Sequence, residues 1–320
     1  MPDKLYISVS PHIHSGESVP KVMWAVFFAL IPSGAAGVII FGLPALKVIL
    51  ISILSCLITE ALIQKLTHKK LTLSDGSAAL TGLLLAYNLS SGVPFWIPLA
   101  GGVFAIAVVK QAFGGLGGNI FNPALAARAF LLASWPKHMT EFVRPFSLDA
   151  VTAATPLAAL KEGGIKNLSG LGLSYWDLFL GKRGGCLGET CILVLLLGAL
   201  YLLWKGYIWY QTPLGFIFTL GALSWIFAAP DFFRGDFLFS ILSGGLILGA
   251  FFMATDYVTT PITKKGQLVF GIGCGVITFV IRKFGGYPEG VSYSILMMNA
   301  AVPLIDRYVR PRRYGSKISV

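Results

Sequence analysis

Charge is what this sequence has least of. Only 12% of its 320 residues are Asp, Glu, Lys or Arg, against roughly 25% in an ordinary soluble domain, and that shortage excludes a conventional water-facing globule. Cysteine is also scarce. Cys56, Cys186, Cys191 and Cys274 are scattered, with no second close pair and no histidine at ligand spacing, so no zinc or iron–sulfur site held by this chain alone is expected. His12 and His14 alternate in a polar arm and read as solvated rather than as metal ligands. The first twenty residues lack an apolar core, so no cleavable signal peptide is expected. A dinucleotide fingerprint is missing too: the glycine run from Phe113 to Asn119 lacks the G-x-G-x-x-G spacing and no strand precedes it.

What is abundant is apolar sequence, 55% of the chain, with a mean hydropathy of +0.76. Apolar runs recur at about the 17–25 residues that cross a bilayer as helix, which predicts an all-α polytopic membrane protein. Spans are expected near residues 22–42, 45–64, 77–89, 95–112, the stretch ending at 134, 188–204, 212–229, 237–255, 267–283 and 292–306. The expected organisation is an N-terminal arm (1–20), a first five-helix repeat (21–134), a long polar loop (135–187), a second five-helix repeat (188–306) and a basic tail (307–320). The formal charge of +11 sits beside apolar spans, which points to a membrane surface rather than to nucleic acid. With the N-terminus inside, fourteen Lys and Arg fall on inner segments and four on short outer loops. That bias predicts both termini in the cytoplasm of a cell-membrane protein and the long loop on the outer face.

The halves look related. A shift of 171 residues sets Gly102 on Gly273, Ile106 on Ile277, Val109 on Val280, Phe113-Gly114-Gly115 on Phe284-Gly285-Gly286, Leu125 on Leu296 and Ala129 on Ala300. Five spans separate the equivalent helices, an odd number, so the two repeats would be inverted in the membrane.

Three constellations could carry chemistry. The first is Ser147 to Leu157, where small residues surround the hydroxyl of Thr155 ahead of Pro156. It reads either as a capped turn leading into a helix or as an accessible attachment point. The second is Phe113 to Pro123, with Gly114, Gly115, Asn119 and Asn122, which suits a half-helix whose free N–H groups face a buried ligand, or close helix packing through glycine. The third is Asp75 and Asp256, beside membrane spans, which are either helix caps or part of an ion path.

Four motifs carry a resemblance over nearly the whole chain: Ser-Pro-His at 10–12, Ser74-Asp75-Gly76-Ser77, Phe113-Gly114-Gly115 with Asn119 to Ala124, and Thr152-Ala153-Ala154-Thr155-Pro156-Leu157. With these the chain resembles the D-subunit family of the Rnf ion-translocating ferredoxin:NAD oxidoreductase complex. It is similar, less closely, to the B subunit of the sodium-translocating NADH:quinone reductase. The resemblance implies ten helices in inverted repeats of urea-transporter type. It implies FMN held as a phosphoester on Thr155, with Thr152 and Asp149 beside it, attached outside the cytoplasm by a flavin transferase using FAD and magnesium. Ala153 stands where the family's motif usually has glycine. A noncovalent riboflavin within the helices is also implied, for which Gly114, Gly115, Asn119 and Asn122 are the candidate wall.

The expected function is therefore an electron-transfer subunit of an ion-translocating oxidoreductase complex. It would pass electrons between its covalent flavin and centres on partner flavin and iron–sulfur subunits, while sodium or protons move. The rivals are a urea- or ammonium-type channel without flavin, a scaffold with a degenerate motif, and a quinone-reducing complex.

Overall fold

A computed structural model describes residues 16–146, 154–162, 172–228, 232–287 and 289–310, and every regular element among them is helical. His12, His14, Asp149 and Thr152 lie outside the described residues. In chain order the helices are α1 (Val19–Phe41), α2 (Leu43–Leu66), α3 (Ser77–Tyr87), α4 (Trp96–Val103), α5 (Pro123–Ser134), α6 (Pro136–Thr140), α7 (Pro156–Glu162), α8 (Tyr175–Leu180), α9 (Ile192–Trp204), α10 (Gln211–Phe227), α11 (Phe237–Leu242), α12 (Leu246–Leu248), α13 (Lys264–Phe284) and α14 (Val291–Tyr308). α4 continues as a π-helix over Phe104–Gln111, and α12 over Gly249–Met253. Helices α1, α2 and α13 are each long and apolar enough to cross a membrane. Ile39, Leu50, Leu54, Ile58 and Leu62 on α1 and α2 are all exposed. Such surfaces are stable against lipid and not against water, so this is a polytopic membrane protein.

Local chemistry explains where the helices begin and end. Gly42, at φ +73°, lets α1 turn directly into α2, whose first turn holds Pro44. Asn122 caps α5 by accepting from the N–H groups of Ala124 (3.1 Å) and Leu125 (3.3 Å), and Pro123 opens the helix without an N–H to satisfy. Thr263 accepts from the Gly266 N–H at the start of α13, and Asp236 from the Phe239 N–H at the start of α11. Ser174 and Asp177 form a reciprocal capping box on α8. There the Ser174 backbone N–H, and then its hydroxyl, hold the Asp177 carboxyl below the ordinary carboxylate range.

Packing follows the same scheme in each half. α2 packs on α3 and α4, as α10 packs on α11 and α13, while α1 meets α9 and α5 meets α14 across the centre. Glycine sets the closest approaches. A Cβ on Gly82 would lie 2.6 Å from the Cα of Ile53, and one on Gly271 would lie 2.4 Å from the Thr212 carbonyl oxygen. The shared Phe-Gly-Gly follows a helix end in both halves, after Gln111 and at Phe284.

Three expectations from sequence are corrected. The run at 237–255 is not one continuous helix: it breaks at Ser243-Gly244-Gly245, with both glycines in the left-handed region (φ +68° and +65°). The break persists because Arg282 donates to the freed carbonyls of Ser240 (2.7 Å) and Ser243 (2.9 Å), so these two groups keep partners in an apolar setting. Next, α9 begins at Ile192 rather than at 188, because Leu187–Glu189 form a tight turn whose Leu187 N–H donates to the Leu89 carbonyl at 2.9 Å. Finally, the polar loop contains α6, α7 and α8.

A buried ion pair ties α2 to the π-helical end of α4. Lys110 (2% exposed) and Glu60 (1%) meet at 2.8 Å. Lys110 also donates to Ser77 Oγ at 2.6 Å, and Gln111 donates to Glu60 at 2.9 Å. Ser77 in turn donates to Asp75 Oδ1 at 2.6 Å. Removing one partner leaves an unpaired buried charge, so Lys110→Met should cost about 3–5 kcal/mol. Adding Glu60→Gln to that variant should restore most of the loss; thermal unfolding in detergent measures both. In the same assay Gly82→Ala should cost about 1–3 kcal/mol by overpacking against backbone that cannot move aside. Gly286→Ala, with no atom within 4 Å of the new methyl group, should leave the midpoint unchanged.

Candidate functional site

Thr155 stands immediately before α7. Its Oγ1 accepts from the Ala158 N–H at 3.2 Å, its carbonyl accepts from the Ala159 N–H at 2.9 Å, and Pro156 is the first helical residue. The geometry is a side-chain N-cap. The residue is only 4% exposed, yet it lines a cavity of about 250 Å³ shared with Arg128, Phe142, Tyr287, Glu289 and Tyr293. α7 is too short to hold itself in place; Lys161 Nζ donates to the Gly285 carbonyl, and Leu157 packs against Gly244. Tyr287 and Tyr293 stack on one another at 6.0 Å between ring centroids and 24° between planes.

Beneath this cavity lies a charged cluster drawn from both halves. Arg128 on α5 pairs with Glu289, just before α14, and donates to Asn88 Oδ1 at 2.8 Å. Arg282 donates to the Glu289 carbonyl at 3.1 Å, and Arg183 to the Glu189 carbonyl at 3.1 Å. Atoms of Cys186, Glu189 and Glu289 lie within 4.8 Å of one another, a grouping that could take a metal ion. The spacing of Cys186 and Cys191 does not announce it, and three arginines already stand there as counter-charges. None of these residues emerges as a site from motif reading. The signal available is Arg128, an ionisable residue inside an apolar run, which is costly there and so marks a function or a partner.

A second cavity, of about 70 Å³, lies toward the other end of the helices. The start of α3 (Ser77), Lys110, Asn119, Asn122, Asp256 and Tyr257 line it. Of the four residues expected to form a ligand wall, Asn119 and Asn122 reach this cavity. Gly114 and Gly115 do not; they turn the chain after Gln111, at φ +108° and +104°. Asn122 Nδ2 donates to the Met253 carbonyl at 3.4 Å. In the amide orientation its surroundings require, Asn299 accepts from the Asn122 N–H at 3.1 Å and donates to the Thr259 carbonyl at 3.1 Å. Asp75 caps the approach to α3 and stands one hydrogen bond behind Lys110, through Ser77. Asp256 faces the cavity and accepts from Thr259 Oγ1 at 3.2 Å. The two aspartates thus reach the same region from opposite halves.

Comparison with known proteins is decisive about kinship. The family model described as the NQR2, RnfD, RnfE family matches residues 6–315. The chain is 50% identical to the D subunit of the Na(+)-translocating ferredoxin:NAD(+) oxidoreductase complex of Acetobacterium woodii, covering 97% of this chain and 95% of that protein. It is 48% identical to the D subunit of the proton-translocating ferredoxin:NAD(+) oxidoreductase complex of Clostridium ljungdahlii, covering 97% and 96%. To the D subunit of the ion-translocating oxidoreductase complex of an Escherichia coli strain it is 36% identical, covering 97% and 98%. A match that runs nearly end to end, with three relatives all described as the same component of such complexes, leaves one conclusion: the chain belongs to the NQR2, RnfD, RnfE family, on the branch of the D subunits.

Proposed function

We propose that this chain is a membrane-embedded electron-transfer subunit that carries FMN as a phosphoester on Thr155. It would work within a complex coupling electron transfer between ferredoxin and NAD to ion movement. The observation that carries the reading is the hydroxyl of Thr155 in the wall of a cavity with an aromatic side and an arginine, in a chain whose relatives are subunits of such complexes. Pockets for drug-sized ligands run to about 300–1,000 Å³; at about 250 Å³ this one suits a planar ring system while leaving a phosphate chain to run to the threonine. The faces of Tyr287 and Tyr293, the Met139 thioether and the Arg128 guanidinium, all in its lining, form a donor set appropriate to a flavin ring. When bound, a flavin supplies the ability to exchange electrons singly or in pairs. The residues of this chain hold it, screen it from water and set its electrostatic surroundings.

Ten crossings in two inverted five-helix repeats complete the reading, supported by the matched packing of α1–α5 with α9–α14. Both termini then lie in the cytoplasm and Thr155 on the outer face, where a flavin transferase using FAD would load it. Partners would be a second flavin subunit and iron–sulfur subunits. Asn119 and Asn122 would border a noncovalent riboflavin, for which the cavity there, about 70 Å³, would have to widen, and Asp75 and Asp256 are candidates for an ion path. Relatives of nearly equal similarity are described as moving Na(+) and protons, so the ion is sodium or proton. A flavin-free solute channel is the weaker reading, because nothing in such a pore calls for the relatives' redox complexes.

Two outcomes are expected. Expressed with a flavin transferase, the chain should fluoresce as a flavin-bearing band in a denaturing gel, with an FMN-sized addition on the Thr155 peptide by mass spectrometry. Thr155→Ala should abolish the band while the protein stays in the membrane; covalent flavin retained in that variant would refute the assignment.

A further inference from the structure

The Thr155 cavity is more than a space beside an attachment point. One wall is the stacked pair Tyr287 and Tyr293, and its base is the guanidinium of Arg128, whose position Asn88 and Glu289 fix from two sides. Arg128 also belongs to a larger charge group. Three arginines (128, 183 and 282) stand among two glutamates (189 and 289), leaving one formal positive charge in excess. Arg183 Nε has no hydrogen-bond partner in this buried setting, so the cluster's donor capacity is not exhausted by its own acceptors. An excess cation beside an apolar cavity favours a bound group that gains negative charge, and low surrounding polarity strengthens the effect.

Resting on the FMN reading above, we propose that this cavity seats the isoalloxazine ring. Tyr287 and Tyr293 supply its aromatic wall, and Arg128 is the residue that raises its reduction potential. A flavin that takes up two electrons and one proton carries one negative charge, and the electrons come from the redox centres of partner subunits. The Arg128 charge stabilises that reduced form over the neutral oxidised one. Glu289 and Asn88 act through Arg128 by holding the guanidinium in place.

The test uses the membrane complex purified with all its subunits, with FMN on Thr155 confirmed by mass spectrometry in each variant. Arg128→Gln should shift the reduction equilibrium of the covalent flavin at least tenfold toward the oxidised form, about 30 mV lower for a two-electron couple. Arg128→Lys, which keeps the charge, should recover more than half of that shift. Tyr287→Leu, at a side chain 42% exposed, should raise the native-state fluorescence of the attached flavin at least twofold and leave the denaturing-gel signal unchanged. Should Arg128→Gln fail to accumulate, the fluorescence of Tyr287→Leu decides alone. Attached FMN with a reduction equilibrium within threefold of the parent's and unaltered fluorescence overturns the seat while leaving the attachment intact. A parent Thr155 without FMN overturns both readings together.

Discussion

The guanidinium of Arg282 accepts nothing and donates almost everywhere it can reach: to the carbonyls of Ser240 and Ser243 at the break between α11 and α12, and to the carbonyl of Glu289 ahead of α14. A broken helix within apolar surroundings exposes carbonyls with no water to take them, each a penalty of several kcal/mol. Arg282 removes that penalty at the point where three segments meet. The positive charge it brings then needs carboxylates nearby, and Glu189 and Glu289 are there, with Arg128 and Arg183 closing the group. The break, the charge cluster and the cavity above it are thus one solution to a single electrostatic constraint.

The other end of the molecule answers the same constraint with different residues. Helix α4 loosens to π geometry over Phe104–Gln111, which brings Lys110 onto Glu60 and Ser77. π-helical stretches tend to occur at functional sites, and this one borders the cavity of Asn119 and Asn122. A chain of amides connects the two ends: Arg128 to Asn88, Asn88 to the Met253 sulfur at 3.6 Å, and the Met253 carbonyl to Asn122. The path passes from the first half to the second and back, so neither half could form it alone.

Much of this is legible from the residues. Asn122-Pro123 announces a capped helix and Thr155-Pro156 another, because both signals are local and depend on one side chain and one missing N–H. The shared Phe-Gly-Gly points to related halves, and the packing scheme agrees with it. What escapes is non-local. Hydropathy averaged over 237–255 hides the Ser243-Gly244-Gly245 break, since glycine scores as apolar while its left-handed backbone ends the helix. As sequence, Lys110 and Arg282 read only as charges marking a side of the membrane. Their partners lie 50 residues away at Glu60 and 42 and 39 away at Ser240 and Ser243, and no spacing rule links such positions. Arg128 and Glu289, 161 residues apart, are invisible as a pair until the helices are assembled.

The way Thr155 is held sets an order of events. Its oxygen is the first acceptor of α7, sealed to 4% exposure, and α7 has seven residues and leans on Lys161 and Leu157 to stay docked. An enzyme that modified this hydroxyl would have to take it from the Ala158 N–H that it caps. Once seated, the same helix guards whatever the hydroxyl carries. Loading of the proposed flavin would therefore be a matter of timing, a race between the arriving modifier and a seven-residue helix closing behind it.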